Sequence, residues 1–360
     1  MMDALWPSPG GDGSGGPRAG EPASGRVVAI TGASAGVGRA TAAAFGRAGA
    51  RVALLARGRA GLEAAEEEVE SLGGQALALP TDVADPDAVE EAAGRAEEEL
   101  GPVDVWINNA MTSVFSPIHE MKAEEYRRVT EVTYLGYVHG TLSALRRMRP
   151  RDRGVVVNVG SALAFRSIPL QSAYCAAKHA IQGFTESLRV ELLHDGSNVR
   201  VTEVHLPALN TPQFVWVKSR LSHQSQPLPP IFQPEVAAEA IRFAVEHDRR
   251  HVWVGAMAQM TAVGNHLAPG YMDRYLAEEG YEGQMTGEAA PSGRDNLWSP
   301  VDDDRDHGAH GPFDDRASER SFHLWANQNR GLVAATGGAI LGGVLALVLG
   351  RGRSRETRVP

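Results

Sequence analysis

Seven short apolar runs punctuate the first two-thirds of the chain: Val27–Ile30, Val52–Ala56, Ala76–Leu79, Val103–Ile107, Val155–Val159, Val199–His205 and His251–Val254. Between them, apolar residues recur at helical spacing over Arg39–Gly49, Leu62–Leu72, Asp85–Leu100, Ala123–Met148, Ser172–Leu193 and Val236–Glu246. Runs of this length, apolar on both faces, suit parallel strands covered by helices on both sides. Right-handed crossovers between them predict an α/β, doubly wound parallel sheet.

Outside this alternation the pattern changes. Residues 1–25 are dominated by Gly, Pro and Ser, without apolar periodicity, and predict a disordered leader. No basic start precedes an apolar core there, so the leader does not read as a secretory signal. The α/β domain spans 26–256 and a helical extension 257–284, with a short helix over Leu267–Leu276. Residues 285–330 carry nine acids and five arginines among Gly and Pro, which predicts an acidic flexible linker. Residues 331–350 carry no charge, and a helix of that length spans about 30 Å, the thickness of a bilayer core. A transmembrane helix is the reading favoured here, against an apolar helix docked on the protein or on a second copy. A basic tail, 351–360, follows. The positive-inside tendency slightly favours a cytoplasmic tail, but a nucleotide-dependent domain needs the cytoplasmic pool, so the catalytic domain is expected there, tethered to the membrane.

Composition narrows the chemistry. With 360 residues the chain can bury a full core without disulfides or metals. A single cysteine, Cys175, excludes a disulfide framework and a multi-Cys zinc site. The net charge of −9 argues against nucleic-acid binding. His307 and His310 sit among acids in a glycine-rich stretch that offers no preformed metal site, so no metal is expected. Only three lysines occur, Lys122, Lys178 and Lys218, in a chain that otherwise uses arginine.

Thr31-Gly32-Ala33-Ser34-Ala35-Gly36-Val37-Gly38 follows the first strand and opens the first helix. Glycines there allow close backbone approach to a pyrophosphate, and the helix N-terminus favours its charge; a plain tight turn is the other reading. Tyr174-Cys175-Ala176-Ala177-Lys178 places a phenol and an ammonium on one helix face. An ammonium nearby lowers a tyrosine pKa by favouring the phenolate. Alone, such a pair arises by chance on amphipathic helices. Ser161, thirteen residues before Tyr174 and just after the fifth strand, can donate to a developing oxyanion.

These three features, in this order, resemble the short-chain dehydrogenase/reductase family, with its TGxxxGxG turn, serine and YxxxK. The resemblance covers roughly residues 26–256. It implies a Rossmann fold and a catalytic trio of Ser161, Tyr174 and Lys178. It implies dinucleotide contacts from Thr31, Gly32, Ser34, Gly36, Val37 and Gly38, from Asp82 and Val83 after the third strand, and from Asn109 and Ala110 after the fourth. Tyr174 and Lys178 also belong to that set, as do Pro207 and Thr211 in a segment similar to the family's PG…T. Met111 and Ala208 stand where the family has glycine, and Thr133 where it often has the asparagine of a proton relay. A shortened or rearranged relay is the expectation at Thr133. Relatives commonly form dimers or tetramers through the two long helices, so a homo-oligomer is expected.

NAD-binding relatives end the second strand with an acid that bonds the ribose. Here the strand ends at Ala56 and Arg57 follows, with Arg59 and Arg39 nearby. Arg57 is either a surface arginine or a partner for a 2′-phosphate; the missing acid favours NADP(H) over NAD(H). The expected function is hydride transfer between NADP(H) and a small-molecule carbonyl or alcohol, apolar if the tether is real, with Leu209–Gln233 as a lid. A non-catalytic nucleotide-binding scaffold or sensor is the alternative; an epimerase or dehydratase ranks third.

Overall fold

Alternate residues of each central strand pack into opposite layers, which explains why the runs are apolar throughout. The computed structural model describes residues 24–290, 293–330 and Val333. In β1 (Val27–Thr31), Val28 and Ile30 join one buried cluster while Val27 and Ala29 join the other. β2 (Arg51–Ala56) divides likewise, Val52 and Leu54 against Ala53 and Leu55. Each face therefore has its own core, and neither strand face meets water.

The order along the chain is β1, α1 (Gly36–Arg47), β2, α2 (Arg59–Ser71), β3 (Gln75–Pro80), α3 (Pro86–Leu100), β4 (Val103–Asn108), the short β5 (Val114–Phe115), α4 (Ala123–Thr130) and α5 (Gly136–Met148). Then come β6 (Val155–Ser161), α6 (Ser172–His194), β7 (Arg200–Leu206), the short β8 (Ala208–Leu209), one-turn α7 (Gln213–Trp216), and the short strands β9 (Lys218–Ser219), β10 (His223–Ser225) and β11 (Ile231–Phe232). The chain continues through α8 (Pro234–Glu246), β12 (His251–Trp253), α9 (Ala256–Leu267), α10 (Pro269–Glu282), β13 (Met285–Ala289), β14 (Ala317–Ser318) and α11 (Phe322–Gln328). Seven strands form one sheet in the order β12-β7-β6-β4-β1-β2-β3, every pairing parallel. This is the doubly wound Rossmann-type sheet, and the crossover between β1 and β4 opens a crevice at the carboxyl ends of those strands.

Local chemistry fixes the ends. Asp85 caps α3 by accepting from the amides of Asp87 (3.0 Å) and Ala88 (3.2 Å), with Pro86 in the first turn. The long helix expected over Ala123–Met148 is interrupted: residues 131–135 wind as a π-turn between α4 and α5. A buried amide chain then ties strands to helices. Asn108 Nδ2 donates to Asn158 Oδ1 (2.8 Å) and Thr141 Oγ1 (3.0 Å), Asn158 Nδ2 donates to Thr185 Oγ1 (2.9 Å), and Trp106 Nε1 donates to Asn108 Oδ1 (2.9 Å).

Two regions depart from expectation. After residue 256 there are two helices, α9 and α10, rather than one short one. Their periodicity is masked in the sequence because Met260, Val263, Leu267, Tyr271 and Tyr275 are exposed apolar residues. The stretch expected to be a flexible linker instead packs on the domain: Leu297, Phe313 and Leu324 are buried, and β14 pairs with β11. Its acids meet backbone amides and arginines of the domain rather than water alone. We call residues 293–318 the strap. Among the described residues no helix is long and apolar enough to cross a membrane. The uncharged segment 331–350 lies outside the described residues apart from Val333, as do residues 1–23 of the expected leader 1–25 and the basic tail.

Asn158→Ala leaves Asn108 and Thr185 with buried polar atoms short of a partner, so thermal or urea unfolding should register a loss of about 1–3 kcal/mol. A variant as stable as the parent would show the amide chain to be dispensable.

Candidate active site

A cleft of about 940 Å³ runs across the carboxyl ends of the central strands. At one end β1 turns sharply into Gly32, whose φ of +69° suits glycine, and a Cβ there would lie 2.8 Å from Ala110 Cα. The Thr31 hydroxyl accepts from the amides of Asn109 (2.9 Å) and Ala110 (3.1 Å), while Asn109 Nδ2 donates to the Thr31 carbonyl (3.0 Å). Gly38 packs directly against the Gly32 carbonyl. Thr31 and Gly38 therefore shape the turn from behind. Gly32, Ser34, Gly36, Val37, Asn109 and Ala110 line the cleft itself. No side chain caps α1 and its first turn holds no acid, so its N-terminus suits an anion. A glycine turn with no room for Cβ atoms, at a helix end that no side chain caps, fits a dinucleotide pyrophosphate.

The reactive trio lies farther along. β6 ends at Ser161, whose hydroxyl accepts from the Leu163 amide (3.1 Å). The first turns of α6 carry Tyr174 and Lys178 into the same wall, and all three side chains line the cleft. Lys178 is 2% exposed and donates to the Val159 carbonyl (2.7 Å) and the Tyr137 hydroxyl (3.0 Å). Burial lowers its pKa to about 7, with Glu203 opposing. Burial raises the Tyr174 phenol, against a hydrogen bond from Ser161 that pulls the other way. Desolvation, rather than the expected lowering by its lysine, governs this phenol. Lys178 Nζ lies 5.5 Å from the Tyr174 ring centroid.

Thr133 does not join them. It is fully buried, donates to the Thr112 carbonyl (2.9 Å) and accepts from the Thr112 amide (3.0 Å), so its hydroxyl is committed locally. Tyr137, one turn on, is the group that meets the ammonium. Sequence reasoning missed it, though its place four residues after Thr133 was a signal.

Asp82 and Val83 line the cleft after β3. Burial works to raise the Asp82 carboxyl, but Arg128, bonded to it at 2.6 Å, and the Ala84 amide hold it below the usual range. Pro207 and Thr211 line the cleft after β7. Beyond the trio the walls turn apolar, with Leu163, Ile168, Leu228, Met272, Tyr275 and Leu276. Arg166 pins α9 and α10 over this end by donating to Asn265 (3.0 Å) and Asp273 (2.6 Å). Cys175 is buried, and burial raises its thiol, in keeping with a core role.

The cations expected to meet a 2′-phosphate are engaged elsewhere. The terminal nitrogens of Arg57 donate to the carbonyls of Asn296 (2.5 Å) and Trp298 (3.1 Å) in the strap. Arg39 donates to Glu68, to the carbonyls of Gly61 and Ala64, and to Asp306 of the strap (3.3 Å). Arg59 is exposed, and its amide donates to Asp303 Oδ1 (3.2 Å). The strap continues to α1, where the Gly36 amide donates to the Gly308 carbonyl (3.1 Å). His307 meets the Trp216 ring, and His310 sits between Glu235 (2.9 Å) and Asp314 (2.8 Å). Away from the cleft, Glu203, His205 and His251 form a polar cluster with ligand atoms within 4.8 Å of one another.

The family description for short chain dehydrogenase matches residues 26–220. An uncharacterized oxidoreductase of Bacillus subtilis, YxnA, is 34% identical over 261 residues, 72% of this chain and 73% of that one. A fatty acyl-CoA reductase of Acinetobacter baylyi is 30% identical over 241 residues, 66% of this chain and 79% of its own. The structure of an alcohol dehydrogenase from Thermococcus sibiricus, complexed with 5-hydroxy-NADP, matches with a TM-score of 0.55 at 28% identity, covering 64% of this chain and 94% of that one. A short chain dehydrogenase/reductase from Burkholderia phymatum, in complex with NAD, shares the fold with a TM-score of 0.63 at 22% identity, covering 70% of this chain and 96% of its own. The chain belongs to the short-chain dehydrogenase family of oxidoreductases.

Asn296, Pro300, Val301 and Asp302 also line the cleft, and sequence reasoning had assigned them to a linker. The apolar residues interspersed among those acids, Leu297, Trp298, Val301 and Phe313, were the available sign of packing. Thr133→Ala should cost about 1–2 kcal/mol in an unfolding assay, the scale of a lost buried hydrogen bond. Its turnover should stay within about threefold of the parent, far from the effect of losing an acid–base group. A larger fall in kcat without loss of stability would restore Thr133 to the relay.

Proposed function

We propose that the protein transfers a hydride between a nicotinamide dinucleotide and an apolar carbonyl or alcohol substrate. The observation that carries this reading is the convergence of Ser161, Tyr174 and Lys178 on one wall of a cleft whose other end is the glycine turn. When bound, the dinucleotide supplies or accepts the hydride at the carbonyl carbon. In reduction, Tyr174 gives its phenolic proton to the substrate oxygen, and its raised pKa keeps that proton available at neutral pH. Ser161 donates a hydrogen bond to the same oxygen as charge develops there. Lys178 holds the ribose, with Val159 and Tyr137 aiming its ammonium.

The apolar lining beyond the trio supports an apolar substrate, and the relative named a fatty acyl-CoA reductase points the same way. The sequence favoured NADP(H) chiefly because no acid ends the second strand, and Arg57 and Arg39, the cations that supported that preference, have donors engaged with the strap and with α2. Exposed Leu142 on α5 and Val190 and Leu193 on α6 give a homo-oligomer an apolar face. A tether through 331–350, with the catalytic domain on the cytoplasmic side, belongs to the same reading; exposed Phe322 and Trp325 lie just before it.

Tyr174→Phe should lower turnover by about a hundredfold or more on a panel of aliphatic aldehydes and ketones. Its dinucleotide affinity, read by protein fluorescence, should stay near the parent's. Full turnover in this variant would sink the acid–base assignment. Full-length protein in native membranes should resist alkaline carbonate, and release without detergent would remove the tether.

A further inference from the structure

The second strand ends Ala56-Arg57-Gly58 without a carboxylate, yet a carboxylate stands at that place. Asp302 arrives from the strap and lies between the glycine turn and the start of α2. Its backbone carbonyl accepts from the Gly61 amide (3.0 Å), and the neighbouring Asp303 carbonyl accepts from Ala60 (3.4 Å). The approach depends on two missing side chains. A Cβ at Gly58 would collide with the Asp302 carboxylate, and one at Gly61 would lie 2.7 Å from Oδ2 and 3.0 Å from Ser34 Cβ.

The side chain so placed keeps its acceptor positions open. Asp302 is 8% exposed and lines the cleft, and among the described residues no donor bonds its carboxylate. Its oxygens are not sealed in the core but open to the cleft, where the donors of a ligand can reach them. The terminal nitrogens of Arg57, the nearest guanidinium after β2, point at the carbonyls of Asn296 and Trp298. Arg39 is surrounded by acceptors, Asp306 among them. The pocket beside Ser34 therefore offers an acceptor whose charge the Arg57 guanidinium feels, while the terminal nitrogens of Arg57 are turned to strap carbonyls.

Two ligands compete for such a place. A ribose diol brings two O–H donors and no charge. A ribose 2′-phosphate brings acceptor oxygens and a charge of about −1.5 to −2, which a buried carboxylate repels. In NAD-binding α/β proteins the acid that accepts from the ribose hydroxyls stands at the end of the second strand. Here the chain supplies it from its C-terminal side.

We propose that Asp302 selects the dinucleotide: its carboxylate accepts from the adenosine ribose hydroxyls and excludes a 2′-phosphate, so the protein uses NAD(H) in preference to NADP(H). This rests on the dinucleotide reading above and replaces the preference read from the sequence. Asp302 is a specificity-determining residue and takes no part in proton or hydride transfer.

The test is direct binding to the full-length protein, by calorimetry or nicotinamide fluorescence, with NADH and NADPH as probes. The parent should bind NADH at least about tenfold more tightly than NADPH, a difference of about 1.4 kcal/mol. Asp302→Asn, which keeps the shape and removes the charge, should shift that ratio at least about tenfold toward NADPH. Asp303→Asn, one residue on and turned toward the Arg59 amide, should leave the ratio unchanged. Tighter binding of NADPH by the parent, or equal binding of the two, overturns the proposal, and that result stands whether or not any variant folds. So does a ratio in folded Asp302→Asn within about threefold of the parent's. Failure of both dinucleotides to bind the parent removes the oxidoreductase reading itself; tight binding with a ratio insensitive to residue 302 removes only the role of Asp302.

Discussion

One buried ammonium organises the chemistry of this molecule. Lys178 reaches out of water to the Val159 carbonyl and the Tyr137 hydroxyl, and both partners come from different elements, the last strand turn before Ser161 and the helix after the π-turn. A charge in such a place is tolerable only where oxygen acceptors face it. The strand, the two helices and the cleft wall must therefore keep their mutual spacing for the lysine to stay charged at all, and burial already brings it to about 7. The same spacing aligns Tyr174 and Ser161. The geometry of the proposed catalytic trio and the solvation of one cation are a single constraint.

That constraint accounts for the polar chain beneath the site. Asn108, Asn158, Thr141 and Thr185 link β4 and β6 to α5 and α6 through buried hydrogen bonds. Apolar packing alone would hold these layers together but leave their register softer. Directional bonds between the two strands and the two helices that carry the reactive groups fix it, because each unsatisfied partner costs more than a small shift gains.

Much of this was legible from residues alone. The seven strands were visible because a sheet covered on both faces admits few polar residues, and the trio because serine, tyrosine and lysine fall at fixed intervals on elements whose type was evident. The π-turn at 131–135 was not: five residues of ordinary helical composition carry no mark of the extra residue in the turn. The local partner of Thr133 was hidden for a related reason, since its hydroxyl bonds Thr112, a residue that only the folded loop brings near. The strap was hidden by its composition. Seven acids among glycines resemble a solvated tether, yet Asp302 and Asp303 meet amides at the start of α2 while Leu297 and Phe313 fill apolar gaps. The preference for a phosphorylated dinucleotide was inferred from an acid absent in one place, and no local pattern could tell that another comes from far along the chain.

A wall contributed by residue 302 has an order in time. Ribosomes deliver the glycine turn, the trio and every strand of the central sheet before the strap emerges. A nascent chain halted near residue 290 holds the proposed catalytic wall but lacks the flank of the crevice that Asn296, Pro300, Val301 and Asp302 supply. The order of synthesis thus separates the wall that carries Ser161, Tyr174 and Lys178 from the flank that residue 302 adds to it.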